Sequence, residues 1–304
     1  MIYPCLAVLL VGALVLWPGV AGAEGIPSAP FALPTVDAKA WLTAGIQAEL
    51  EGAHQAAIAA FSQALRQDDQ LIAAYGDRCL AYLSVDDYDH AITDCSQAIV
   101  LNPANPEFYL NRGMAEFHQQ DYESAIADYN QVLQRSPNDF RAFYNRGLVE
   151  AEVGDYAQAV VSYDQALITA GGNNRTPLST IYTDRGLAHL ASGQSEAAMA
   201  DFSAAIAANP NASRAYYNRA CVCHQDGQLA IALADFTQVL TLDAQYAEAA
   251  VNRGLIHYQL GHLDAALGDF ETAAAQYAQR GDHAAYHRLL PLIESVKAAT
   301  QKIA

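Results

Sequence analysis

Tyr-Leu-Asn-Arg-Gly at 109–113, followed by Asp-Tyr-Glu-Ser-Ala-Ile-Ala-Asp-Tyr at 121–129, decides the fold because it recurs. Phe-Tyr-Asn-Arg-Gly stands at 143–147 and Tyr-Thr-Asp-Arg-Gly at 182–186. Tyr-Tyr-Asn-Arg-Ala at 216–220 and Val-Asn-Arg-Gly at 251–254 continue the series. The arginines at 78, 112, 146, 185, 219 and 253 lie 34, 34, 39, 34 and 34 residues apart. A period of that length marks stacked supersecondary units, each too small to bury its apolar face alone.

Seven units align. Their eighth place holds a small residue: Gly45, Cys79, Gly113, Gly147, Gly186, Ala220 and Gly254. Their twentieth place is always alanine, from Ala57 to Ala266. Their twenty-fourth place is aromatic in Phe61, Tyr129, Tyr163, Phe202, Phe236 and Phe270, with Cys95 the departure. Pro103, Pro137 and Pro210 close three units. A small residue on a first helix lets a second helix approach at its alanine, and the aromatic fills the space between them.

The pattern resembles the tetratricopeptide repeat family over residues 38–280. The resemblance implies an all-α, right-handed superhelical solenoid of seven helix-turn-helix repeats. These run 38–71, 72–105, 106–139, 140–173, 179–212, 213–246 and 247–280, with an insert at 174–178. Gly171-Gly172-Asn173-Asn174 around the insert predicts a loop. Asp86-Asp87-Tyr88 and Gly154-Asp155-Tyr156 predict turns and helix starts within repeats. Residues 281–304, with Tyr286, Leu289, Leu290, Ile293 and Val296 at helical spacing, predict a capping helix that Pro291 kinks or begins.

Apolar residues make up 52% of the 304, which supports a packed structure. The net charge of −17, from 33 acidic and 16 basic residues, repels nucleic acid and anionic headgroups. Leu6 to Trp17 is an unbroken apolar run, ended by Pro18 and Gly19, and Ala21-Gly22-Ala23 has the form of a signal-peptidase site. Residues 1–23 are expected to be a signal peptide, or alternatively an uncleaved membrane anchor, although no basic residue precedes the apolar run. Residues 24–37, with Pro27, Pro30 and Pro34, are expected to be a linker. The chain is thus expected in the periplasm or a thylakoid lumen, without a membrane span once the signal is removed.

Five arginines have an aspartate sixteen residues on: Arg78 with Asp94, Arg112 with Asp128, Arg185 with Asp201, Arg219 with Asp235, and Arg253 with Asp269. The first repeat has Ala44 and Ala60 at those places, so both charges vanish together. That covariation within the chain predicts salt bridges between the two helices of a repeat. Arg146 departs, facing Ser162. The residue before each arginine is Asn111, Asn145, Asn218 or Asn252, with Asp77 and Asp184 in the other two repeats. The resemblance puts that sixth place on the concave face, where amides hydrogen-bond an extended peptide; the alternative is a solvated face. Tyr144, Tyr217, Phe117 and Tyr258, with Arg141 and Arg214, fall at nearby places, and the two cations suit a peptide carrying acidic groups. The carboxylate-clamp pattern is not matched, since Leu110 and Met114 stand at its places.

Cys79 and Cys95 face each other across the second helix pair, as a disulfide or as buried thiols. Cys221, Cys223 and His224, and His283 with His287, are read as packing and surface residues rather than ligands. No Gly-rich phosphate loop, Gly-x-Ser-x-Gly elbow or His-Glu-x-x-His motif occurs, so no catalytic residue and no cofactor is expected. The expected function is a non-catalytic scaffold or assembly factor that binds a protein or peptide in a groove, with a membrane complex as a possible client. The run Tyr-x-Asn-Arg-Gly followed by Asp-Tyr-x-x-Ala resembles repeat proteins common in bacteria, notably phototrophs. The resemblance implies, by analogy of fold alone, a role like that of exported relatives that help build membrane complexes, including photosystems. The alternative is an acidic metal-binding or metal-delivery protein.

Overall fold

The computed structural model describes residues 37–171 and 175–303, with the backbone alone at 175–177 and 302–303. The expected signal, most of the linker and Gly172-Asn173-Asn174 lie outside the described residues. Those described fall into two compact units, 37–169 and 170–303. The first holds α1 (Ala38–Leu50), α2 (His54–Gln67), α3 (Ile72–Ser84), α4 (Tyr88–Leu101), α5 (Pro106–His118), α6 (Tyr122–Arg135), α7 (Phe140–Glu152) and α8 (Tyr156–Thr169). The second holds α9 (Arg175–Ala191), α10 (Ser195–Ala208), α11 (Ser213–Gln225), α12 (Leu229–Leu242), α13 (Ala247–Gln259), α14 (Leu263–Gln279) and α15 (His283–Ile303). Each unit is all-α, a run of helix-turn-helix pairs of solenoid type. Each odd helix from α1 to α13 packs on the even helix after it, and each even helix of a unit packs on the next odd one of that unit.

Polar side chains cap several of the helices in the first unit. Asp37 accepts from the Ala40 N–H, Asp121 from that of Ser124 and Asp139 from that of Arg141. Asn105 caps α5 ahead of Pro106, whose missing N–H costs nothing there. The turn inside a repeat needs a left-handed residue in the fifteenth place. Glycine supplies it five times, including Gly154 at φ 84°, while Asp86 at 58° and Gln120 at 63° do so without glycine's freedom.

All seven alanines of the twentieth place are completely buried, from Ala57 to Ala266. The aromatic of the twenty-fourth place lies against the small residue of the eighth. A Cβ on Gly113, Gly147, Gly186 or Gly254 would stand 2.7–2.9 Å from the ring of Tyr129, Tyr163, Phe202 or Phe270. Cys79 and Cys95 occupy the same two places in the second repeat, joined as a disulfide with Cα atoms 5.5 Å apart. The bond fills the volume that a ring fills elsewhere.

Of the insert at 174–178, residues 175–178 form the first turn of α9, which has 17 residues against 13 in the other first helices. The extra length therefore extends a helix. Pro291 lies inside α15, which begins eight residues earlier at His283. Leu289, Ile293 and Val296 of α15 pack with Ala273, Ala274 and Tyr277 of α14, covering the last repeat. No helix among the described residues is long and apolar enough to cross a membrane.

The five arginine–aspartate pairs are two-pronged. Arg78 meets Asp94 at 2.6 and 2.7 Å, Arg112 meets Asp128 at 2.7 and 2.8 Å, and Arg219 meets Asp235 at 2.8 and 2.9 Å. Arg185 with Asp201 and Arg253 with Asp269 repeat the geometry. A third prong was not foreseen. Nη1 of Arg78 donates to Ser62 Oγ, that of Arg112 to Ser96 Oγ, that of Arg219 to Ser203 Oγ and that of Arg253 to Thr237 Oγ1. Each of these guanidinium groups joins its own second helix to that of the repeat before. Arg146 follows the same plan with other atoms. It donates to Ser162 Oγ at 3.1 Å and Asn130 Oδ1 at 2.8 Å, and Glu150 brings a carboxylate to 3.4 Å.

Candidate functional site

First helices of neighbouring repeats touch: α1 with α3, α3 with α5, and α5 with α7. The face they form carries a cavity of about 600 Å³. The sixth-place residues of three successive repeats, Asp77, Asn111 and Asn145, all line it. This register follows from the repeat, because equivalent positions on adjacent helices stack into a row. Leu80, Phe108 and Met114 provide apolar wall. Phe108 reaches that wall by lying over Gly76, where an added Cβ would stand 2.7 Å from its ring.

Asn111 is 7% and Asn145 4% exposed, and neither amide hydrogen-bonds another described residue. Their amide atoms are not among the fully buried unpartnered ones, so they stay open to the cavity, and each can hydrogen-bond a ligand that supplies donor and acceptor together. Glu107 and Arg141 line the cavity as a closed pair, with contacts of 2.6 and 3.0 Å. Asp139 grips the same guanidinium at 2.7 Å. Hydrogen bonds to Asp139 and Glu107 outweigh burial and hold the Arg141 proton well above its ordinary affinity. Asp77 is different. Burial first, then the charge of Glu49 on α1, push its carboxyl up to about 6.

The remaining expected groove residues are scattered. Tyr217 and Asn252 line a smaller cavity of about 260 Å³ beside α15, but they satisfy each other: Asn252 Nδ2 donates to the Tyr217 hydroxyl at 3.1 Å. Tyr217 is 3% exposed and stacked on Tyr246. Tyr144 packs inward against Tyr163, and Phe117 against Tyr122, because both rings are needed between helices. Tyr258 is exposed and lines neither cavity. Asn218 is buried, with an Oδ1 that has no partner among the described residues. Arg214 is paired with Asp184 at 2.9 Å. Both arginines expected to attract an acidic peptide are thus answered by carboxylates of this chain, which corrects that expectation.

The sequence also left out residues that build the cavity. Phe108, Glu107 and Asn105 sit at the start of α5, and Glu107 lies 34 residues before Arg141, one period away. That spacing was the available signal. Elsewhere, Cys223 is a buried free thiol, and His283 and His287 lie exposed at the start of α15. No group of three or more His, Cys, Asp or Glu comes together to hold a metal ion among the described residues.

A tetratricopeptide repeat family model matches residues 77–140, 119–175, 183–230 and 225–282. Among solved structures, the chain is similar to a tetratricopeptide repeat protein from Parabacteroides merdae, at 20% identity and TM-score 0.62 over 84% of this chain and 98% of that one. It is similar to pilF of Pseudomonas aeruginosa, at 17% identity and TM-score 0.59 over 70% and 94%. YrrB, a repeat protein described as having an unusual peptide-binding site, aligns at 22% identity and TM-score 0.50 over 64% and 96%. At these identities the likeness is one of fold. No curated protein matches the chain.

Proposed function

The chain belongs to the tetratricopeptide repeat family, and we propose that it is a non-catalytic scaffold that holds an extended peptide segment of a partner protein in the cavity of its first unit. One observation carries this. Asn111 and Asn145 are both more than nine-tenths buried, share one cavity, and have no hydrogen-bond partner among the described residues. An extended peptide offers a backbone N–H and C=O to each amide, which a free water molecule satisfies less rigidly. The apolar wall from Leu80 to Met114 then takes a side chain.

The same proposal places the protein outside the reducing cytoplasm, as an assembly factor for exported or membrane-bound clients. The Cys79–Cys95 disulfide supports this, since such bonds persist in oxidising compartments. Separately, the net charge of −17 disfavours nucleic acid as a partner.

The test is to pan a displayed library of random dodecapeptides on the full chain, and to measure the selected peptides on Asn111→Ala with Asn145→Ala. Two hydrogen bonds at about 1 kcal/mol each correspond to a loss of about tenfold or more. Circular dichroism of the double variant should be unchanged. Selected peptides that bind both proteins equally would sink the proposal.

A further inference from the structure

Resting on the groove just proposed, we infer that the cavity between α3, α5 and α7 selects peptides that present a cationic group, a lysine or arginine side chain or a free α-amine, to Asp77. Asp77, Asn111 and Asn145 are the same repeat position on three adjacent first helices and line one cavity. A peptide held by the two amides therefore runs towards the carboxylate. Helices packed 8–10 Å apart and a strand rise of about 3.3 Å put the Asp77 contact about three residues beyond the Asn111 contact.

The charges decide the sign of that contact. Glu107 and Arg141 cancel each other, and Asp139 adds a second carboxylate to the same guanidinium. The neighbouring Arg78 spends its guanidinium on Asp94 and Ser62. Asp77 itself makes no hydrogen bond or ion pair with a described residue, and the charge that acts on it, Glu49, has its own sign. A half-buried carboxylate with a like charge beside it and no counter-ion gains most from a cation. An acidic peptide would instead bring a third negative group to the cavity. The two unpartnered, nine-tenths-buried amides, and not the carboxylates alone, mark the place as a ligand site.

Peptides panned on the full chain should carry lysine or arginine at one aligned position, or lose affinity when their free N-terminus is acetylated. Replacing that lysine by norleucine should cost tenfold or more on the unaltered protein and less than twofold on Asp77→Asn. Asn111→Ala should weaken the lysine and norleucine peptides alike. Acetylated and free forms of each peptide separate an α-amine from a side chain as the source of the cation. Selected peptides without a cation, or a norleucine penalty that persists in Asp77→Asn, would overturn the inference and leave the groove standing. Peptides whose binding ignores Asn111 and Asn145 would remove the groove as well. The norleucine comparison on the unaltered protein keeps the test decisive even if Asp77→Asn folds poorly.

Discussion

At the scale of single residues, the recurring arginines of the repeats are braces. Arg219 joins Asp235 and Ser203, and Asp235 is buried. Arg219→Ala leaves that carboxylate without its counter-ion and should destabilise the chain by about 2–3 kcal/mol in urea unfolding. Adding Asp235→Ala should recover part of the loss; strict additivity would contradict a direct pair. The third repeat faces Arg112 with two carboxyls, Asp128 and Glu116. Burial first, then the charges of Asp128 and Asp121, push Glu116 up to about 8, against the pull of Arg112; Tyr129 is its neutral neighbour. Folding thus tightens a proton whose ordinary value is 4.5. The stability this gives is complete below about 4.5 and is lost as pH rises towards 8. Glu116→Gln should leave Tm unchanged at pH 4 and raise it by several degrees at pH 8, and a parallel shift at both would contradict the assignment. The five arginine–aspartate spacings were legible because the two charges vary together within one chain. The compensation at Arg146 was not. Its carboxylate comes from Glu150, four residues on in the same helix, where Ser162 donates to it at 2.6 Å. A search at sixteen residues passes over it.

At the scale of the element, the helix pairs were legible because sterics leave few choices. An alanine and a glycine let two helices close on one ring; the sequence writes that triplet in five repeats, puts Ala220 for the glycine in a sixth, and replaces glycine and ring by Cys79 and Cys95 in the second. The turn between them was only half legible. Gly154 announces a left-handed residue, but Asp86 and Gln120 do the same work in the second and third repeats. Asp86 receives a hydrogen bond from the Tyr88 hydroxyl at 2.7 Å, which fixes its turn. Gln120 is exposed, and its side chain has no such contact. Gln120→Gly should therefore relieve left-handed strain and stabilise by about 0.5–1 kcal/mol by thermal unfolding, net of the entropy glycine gains when unfolded. A loss of stability would mean that Gln120 is not strained. The insert after the fourth repeat was legible as an irregularity, but its outcome was not. Extending α9 by a turn satisfies backbone groups that a longer loop would leave to water.

At the scale of the whole chain, the family was legible from periodicity and the groove only from part of its wall. Asn111 and Asn145 could be named from their place in the repeat. What surrounds them could not, because the cavity is assembled from three repeats, and its electrostatics depend on contacts one period apart. Arg141 looked free until Glu107, and Arg214 until Asp184, came from the preceding repeat to meet them. Those contacts turn a groove expected to favour acid into one whose unanswered charge is Asp77. Tyr144 and Phe117 show the same limit from the other side, since an aromatic at a groove position also serves to fill the space between helices. The proposed function rests on the Asn111 and Asn145 amides of the first unit holding a peptide. Calorimetric titration of one panned peptide tests it most directly, on the unaltered chain and on Asn111→Ala with Asn145→Ala. Binding should be measurable on the first and at least tenfold weaker on the second at equal helicity; equal affinities would rule out the two amides as the peptide's anchors.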